Sequence, residues 1–194
     1  MSGERAGRRS TVLAIAGSLR RDSANRRLIE SAAECAPAGL EVRIYRRLGA
    51  LPLFNEDLEA SAFASGPVRE LREQVAAAHG LLIATPEYNH SVPGVLKNAV
   101  DWLSRPLAGE VLAGKPVAVV GASAGRWGTR LAQAALRQVL YATESLVVSG
   151  PALYLAEAQA AFDGDGRLIA EEARGVLRQI LKSLDALIRS RTLT

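Results

Sequence analysis

The sequence predicts an α/β fold: a three-layer sandwich with one five-stranded parallel sheet, order 2-1-3-4-5, and helices on both faces. Three observations carry that expectation. Short continuous apolar runs at 11–16, 80–85 and 116–123 suit strands buried on both sides. Stretches with apolar residues at three- and four-residue steps alternate with the strand segments, which implies parallel pairing through helical crossovers. Polar, glycine-bearing stretches follow the first, third and fourth strands, and the carboxyl edge of such a sheet is where ligands bind.

The elements follow in order. "TVLAIA" (11–16) is the first buried strand, and a helix runs from Ala24 to Cys35. "LEVRIY" (40–45) alternates, as a strand nearer an edge does. "LGALPLFNEDLE" (48–59) has no period and is expected to be a long loop. In 67–78, Pro67 sits in the first helical turn, and Val68, Leu71, Val75 and Ala78 share one face. "GLLIAT" (80–85) is the third strand. The helix over 91–105 has Ser91 as its expected N-cap and Pro93 in its first turn. "PVAVVGAS" (116–123) is the fourth strand, 127–142 a helix, and "ESLVVS" (144–149) the last strand. A final helix over 168–190 places Ile169, Ala173, Val176, Leu177, Ile180, Leu184 and Ile188 on one face. Its glutamates come early and its arginines late, matching the helix dipole.

Composition narrows the function. The chain has 194 residues, 48% hydrophobic and 23% charged, which suits a single globular domain at 11–194 behind a disordered tail at 1–10. The net charge of +4 lies partly in the arginine-bearing tail, so the domain lacks the clustered basic face of a nucleic-acid binder. No apolar run reaches membrane-spanning length, and no membrane partner is expected. One cysteine, Cys35, cannot form an internal disulfide, and a reducing cytoplasm is the expected compartment. No metal site is expected: "DGDGR" (163–167) lacks the later glutamate of a calcium loop and reads as a tight turn.

The stretch "AIAGSLRRDSANRRLIE" (14–30) carries the first chemical signal. It has neither G-x-G-x-x-G nor G-K-[ST], which excludes the two best-known phosphate loops. Ser18, Ser23 and Asn25 offer neutral donors, Arg20 and Arg21 offer charge, and a helix start adds free N–H groups. With only Gly17 in the loop, a terminal phosphate monoester fits better than a pyrophosphate.

The stretch "TPEYNHSVPGVLKNAVDWLSR" (85–105) closely resembles the signature of the NADPH-dependent FMN reductase family, flavodoxin-like quinone and chromate reductases. "GSLRRDSANRRL" and "GASAGRWGTRLAQAALRQVL" resemble two further segments of that family, in order, and the similarity spans about 11 to 190. The resemblance implies FMN as cofactor and NADPH or NADH as electron donor. It places Ser18, Arg20, Ser23 and Asn25 on the FMN phosphate. It places Pro86, Glu87, Tyr88 and Asn89 against the isoalloxazine ring. Ser123, Ala124 and Gly125 fall beside the ring's pyrimidine side. Relatives often have more glycine in that last loop, and a positive φ at Ala124 would carry strain.

The implied activity is ping-pong hydride transfer from NAD(P)H to quinones, free flavin, azo compounds or metal oxyanions such as chromate. The cofactor carries the chemistry, so no catalytic side chain is named. His90 reads as a surface histidine, while Glu87 has two open uses, in pocket charge or in a subunit contact. A homodimer or homotetramer is expected through the 91–105 helix, where Val95, Ala99 and Trp102 form an apolar face beyond the one that covers the sheet. Two other classes stay open. A one-electron carrier like flavodoxin would be strongly acidic, unlike this chain. A non-enzymatic FMN-binding regulator has no feature of its own in favour.

Overall fold

The computed structural model describes residues 9–106 and 109–192. Residues 1–8 of the expected tail lie outside the described residues, and Ser10 already belongs to the first strand. In chain order the elements are β1 (Ser10–Ala16), α1 (Ala24–Glu34), β2 (Leu40–Tyr45), α2 (Glu59–Ala64), α3 (Gly66–Ala77), β3 (Gly80–Ala84), α4 (Gly94–Leu103), β4 (Pro116–Ala122), α5 (Arg130–Ala142), β5 (Leu146–Val147), β6 (Leu153–Leu155) and α6 (Glu171–Thr192).

All strand pairs in the sheet are parallel, in the order β2-β1-β3-β4-β5. Every residue of β3 and β4 is buried, as their unbroken apolar runs predict. One face packs on α1 and α6 through residues such as Leu28, Ile29, Leu177 and Leu184. The other packs on α3, α4 and α5 through Leu71, Val75, Leu96, Trp102 and Leu136. The fold is flavodoxin-like, with the strand order expected.

The differences have local causes. The expected fifth strand at 144–149 is cut to Leu146–Val147, and pairing with β4 resumes at Leu153–Leu155 as a sixth strand. Pro151 lies in the gap and has no N–H to give the ladder. Ser91 does not cap α4: it pairs with Tyr88 across a turn, and the helix starts after Pro93. Ile169 stands before α6 and is 54% exposed, while Leu181 takes a place in the core.

The segment after β2 departs furthest from expectation. It holds two short 3-10 turns, Leu48–Ala50 and Glu56–Leu58, and then α2. It folds over the second apolar face of α4. Trp102 is fully buried, its ring meets Phe54 and Phe63 edge-on at 5.0 and 6.0 Å, and its Nε1 donates to the Pro52 carbonyl at 2.8 Å. Ala99 is buried beside it. The face expected to meet a second subunit is therefore covered from within the chain, and Trp102 cannot anchor a dimer.

Tyr45, at the end of β2, is buried, and its hydroxyl has no hydrogen-bond partner among the described residues. Burial, then the nearby Glu70 carboxylate, pushes the phenol up to about 12, against the partial pull of Arg47. The folded state thus favours the protonated phenol. That preference is fully present below the unfolded value near 10 and is lost as pH rises through about 12. Tyr45→Phe is expected to stabilise the fold by about 1 kcal/mol by removing an unpaired buried hydroxyl. It should also flatten the loss of stability above pH ~10. Urea midpoints of both proteins on the two sides of that pH check both effects.

Candidate active site

A cavity of about 430 Å³ opens at the carboxyl edge of the sheet, where the stretches after β1, β3 and β4 converge. This is the switch point between β1 and β3, where the chain turns to opposite sides of the sheet. Ten of the eleven residues expected at the site line it: Ser18, Arg20, Ser23, Asn25, Pro86, Glu87, Tyr88, Ser123, Ala124 and Gly125.

The first wall is the stretch from Gly17 to the start of α1. Ser23 caps α1, and its hydroxyl takes the Arg26 N–H at 3.4 Å. The Arg27 N–H goes to the Ser23 carbonyl. Ala24 and Asn25 line the cavity in the first turn of α1, where a helix leaves its N–H groups without intrahelical partners, at the positive end of the dipole. Ser18 is buried, and among the described residues its hydroxyl accepts only a long 3.4 Å contact from the Arg20 N–H, which leaves it able to donate. Asn25 has a different use from the one expected. Its Nδ2 donates to the Ala122 carbonyl at 2.8 Å and its Oδ1 accepts the Ala122 N–H at 2.9 Å. The side chain ties α1 to the end of β4 and so holds the first wall against the third.

The second wall follows β3. Tyr88 and Ser91 exchange backbone hydrogen bonds at 3.0 and 3.3 Å, with Asn89 (φ 50°) and His90 (φ 61°) between them. Two positive φ angles in a two-residue loop mark a type I′ geometry. Asn89 tolerates that region better than most residues, and its task here is the turn: it stands outside the cavity wall. His90 is exposed, with Nδ1 3.6 Å from Glu87 Oε1. The Glu87 side chain accepts the N–H groups of Leu131 and Ala132 at 2.9 and 3.0 Å. It caps α5, whose own Thr129 makes no side-chain cap, and so anchors the second wall to that helix.

The third wall follows β4. A Cβ on Gly121 would lie 2.0 Å from Thr129 Oγ1 and 2.4 Å from the Thr85 carbonyl, so the crossing of these stretches admits only glycine. The left-handed residue is Gly128 (φ 67°), not Ala124, and the strain considered for Ala124 does not arise. Ser123 Oγ donates to the Gly128 carbonyl at 3.0 Å and draws the wall into a closed turn.

Several lining residues escaped the sequence reading. Arg27, ion-paired with Asp22, lies 6.0 Å over the Phe162 ring. Phe162 and Ala158 supply a fourth wall after β6, and Trp127 stands at the mouth. Helical spacing from Ser23 was the one available signal for Arg27; the 156–163 segment has no period to read. The two carboxylates at the wall are both engaged, Asp22 with Arg27 and Glu87 with α5. Arg20 has no such partner among the described residues, and the cavity therefore attracts anions.

A flavodoxin-like sheet with one anion-binding helix start and a half-apolar cavity beside it defines a mononucleotide-binding α/β protein. The family model for NADPH-dependent FMN reductase matches residues 10–160. An NAD(P)H-dependent FMN reductase of Pseudomonas aeruginosa is 44% identical over 178 residues, 92% of this chain and 95% of that protein. A 2-hydroxy-1,4-benzoquinone reductase of a Burkholderia species is 39% identical over 180 residues, covering 93% and 97%. Among solved structures, the flavoenzyme NAD(P)H:(acceptor) oxidoreductase FerB of Paracoccus denitrificans superposes with a TM-score of 0.82. It is 34% identical, covering 93% of this chain and 98% of that one. The chain belongs to the NADPH-dependent FMN reductase family. It is an oxidoreductase with FMN as cofactor and NAD(P)H as donor, and the donor set at the start of α1 fits a single phosphate.

Proposed function

We propose that this protein is a cytoplasmic FMN-dependent NAD(P)H oxidoreductase that reduces quinones by a ping-pong mechanism. Free flavin, azo compounds and metal oxyanions such as chromate are further acceptors of the same open site. The carrying observation is the single-phosphate cradle beside a half-apolar cavity that opens to solvent at the switch point. The net reaction takes a quinone, NAD(P)H and a proton to hydroquinone and NAD(P)+. FMN, when bound, supplies the two-electron relay between donor and acceptor.

The chain's own groups bind, orient and shield. The Ala24 and Asn25 N–H groups, the Ser18 hydroxyl and the Arg20 guanidinium, all at the cavity wall, would hold the phosphate. Asn25 and Glu87 fix the three walls against one another. Pro86, Tyr88 and the Ser123–Gly125 stretch, which line the cavity, would flank the ring, with the buried Phe162 on the inner wall. Solvent supplies the proton, and no side chain is assigned to it. An assembly of two or four copies belongs to this reading without the Trp102 contact, and sedimentation measures it.

Three measurements test the reading. The purified protein should be yellow and release FMN, not FAD, on denaturation, as chromatography of the released flavin resolves. Ser18→Ala should weaken FMN binding by roughly 1.5–3 kcal/mol, the usual worth of a hydrogen bond to a charged group, in a titration of the apoprotein. Anaerobic stopped-flow mixing with NADPH or NADH should bleach the flavin directly, with no partner protein, and a quinone should restore the colour. Absence of bleaching by both nicotinamides would reject the enzyme in favour of a carrier or a binding protein.

A further inference from the structure

We infer that Trp127, Arg126 and Arg130 form a rim that selects flat acceptors carrying a negative charge. The inference rests on the oxidoreductase reading above and names the acceptor class within it. Trp127 lines the cavity mouth, and its ring is 62% exposed, unusual for the largest apolar side chain. Its place is fixed. The neighbouring Gly128 backbone packs so closely on the Tyr154 carbonyl that an added Cβ would lie 2.8 Å from it, and Ser123 holds the Gly128 carbonyl. An exposed indole beside a ring-sized cavity is a stacking surface.

The charge is built in by the same residues. The Arg126 guanidinium lies 4.8 Å from the Trp127 ring, and that of Arg130 lies 6.0 Å from Trp127 and 5.8 Å from Tyr154. Neither arginine is in an ion pair among the described residues. Aromatic faces, not carboxylates, position both, so their charges stay uncompensated at the mouth. Of the acids nearby, Glu87 is taken up by α5, and Glu157 is exposed, with its backbone N–H donating to the Gly125 carbonyl and its carboxylate in no ion pair among the described residues. A flat ring resting on Trp127 would hold an anionic substituent next to two free guanidinium groups. A neutral ring gains the stacking alone.

The test compares 1,4-naphthoquinone-2-sulfonate with 2-methyl-1,4-naphthoquinone on the FMN-loaded protein. In a ping-pong scheme, kcat/KM for the acceptor is independent of the donor. The ratio of the two kcat/KM values, anionic over neutral, should fall about 5-fold in Arg126→Gln/Arg130→Gln at low salt. The wild-type ratio should fall toward that of the variant as salt is raised. Comparing the ratio between proteins cancels the different reactivities of the quinones, and flavin absorbance verifies equal FMN content. Independently of turnover, the sulfonate should quench the fluorescence of Trp127, with the Trp127→Phe protein, which keeps the buried Trp102, as background. An unchanged ratio overturns the inference. So does a loss confined to kcat/KM for NADPH relative to NADH, which would assign the arginines to the donor's phosphate. If neither quinone is reduced the functional reading fails, and the quenching titration still decides the rim.

Discussion

Arg72→Met should destabilise the protein by about 3–5 kcal/mol, the range for leaving buried polar groups without a charged partner. Arg72 is 4% exposed, on α3, and its guanidinium donates to the carbonyls of Trp102, Leu103, Arg105 and Gly109. The group also lies 4.5 Å over the Phe63 ring. Burial lowers its pKa, yet an arginine starts high enough to keep its charge. One side chain thus satisfies the end of α4 and the turn after it. Methionine fills most of the volume and satisfies none of the carbonyls. Arg72→Lys should fall between, since a single ammonium cannot reach four acceptors in a fork. Denaturant midpoints of the three proteins would show the order. A loss below about 1 kcal/mol for methionine would mean that water replaces the guanidinium.

Asn25→Ala is expected to cost about 2–4 kcal/mol, because both backbone groups of buried Ala122 lose their partner. It should also weaken FMN binding, since the first wall is no longer held to β4. Asn25→Asp separates the two effects. It keeps an acceptor for the Ala122 N–H, loses the donor to the carbonyl, and adds a negative charge beside the phosphate cradle. Its FMN affinity should therefore fall further than its stability. Chemical denaturation of the apoproteins and FMN titration give the two numbers. Equal losses in both would reduce Asn25 to a purely structural tie.

The place of the candidate site was legible because its three stretches are local. The serines and arginines after β1, "PEYNHSVPG" after β3 and "GASAGRWG" after β4 each read as polar segments following a buried strand. The position of ten expected residues at one cavity follows from that order. Their individual tasks did not. Asn25 resembled a phosphate donor, but its partner lies 97 residues away. Glu87 resembled a ring contact, but it meets a helix start more than forty positions on, at Leu131 and Ala132. Asn89 sits in a turn whose φ angles explain its residue type without any ligand. The face of Val95, Ala99 and Trp102 was correctly read as apolar and wrongly given to a second subunit. Its cover is the aperiodic 48–64 segment, which spacing rules leave as a loop.

By itself the sequence determined the alternation of strands and helices, the depth of β3 and β4 in the core and the edge of the sheet where the cavity opens. Each depends on hydrophobic period or on groups within one turn of chain, and those interactions are set by neighbours in sequence. Only the tertiary structure decided what covers Trp102, where Arg72 spends its donors, how the fifth strand breaks into two, and how Trp127 and its arginines face the mouth. For Trp102 and Arg72 the reason is the same. A buried polar or aromatic group must find a partner, but many segments could supply one, and the choice falls to whichever the packed sheet brings within about 3 Å for a hydrogen bond.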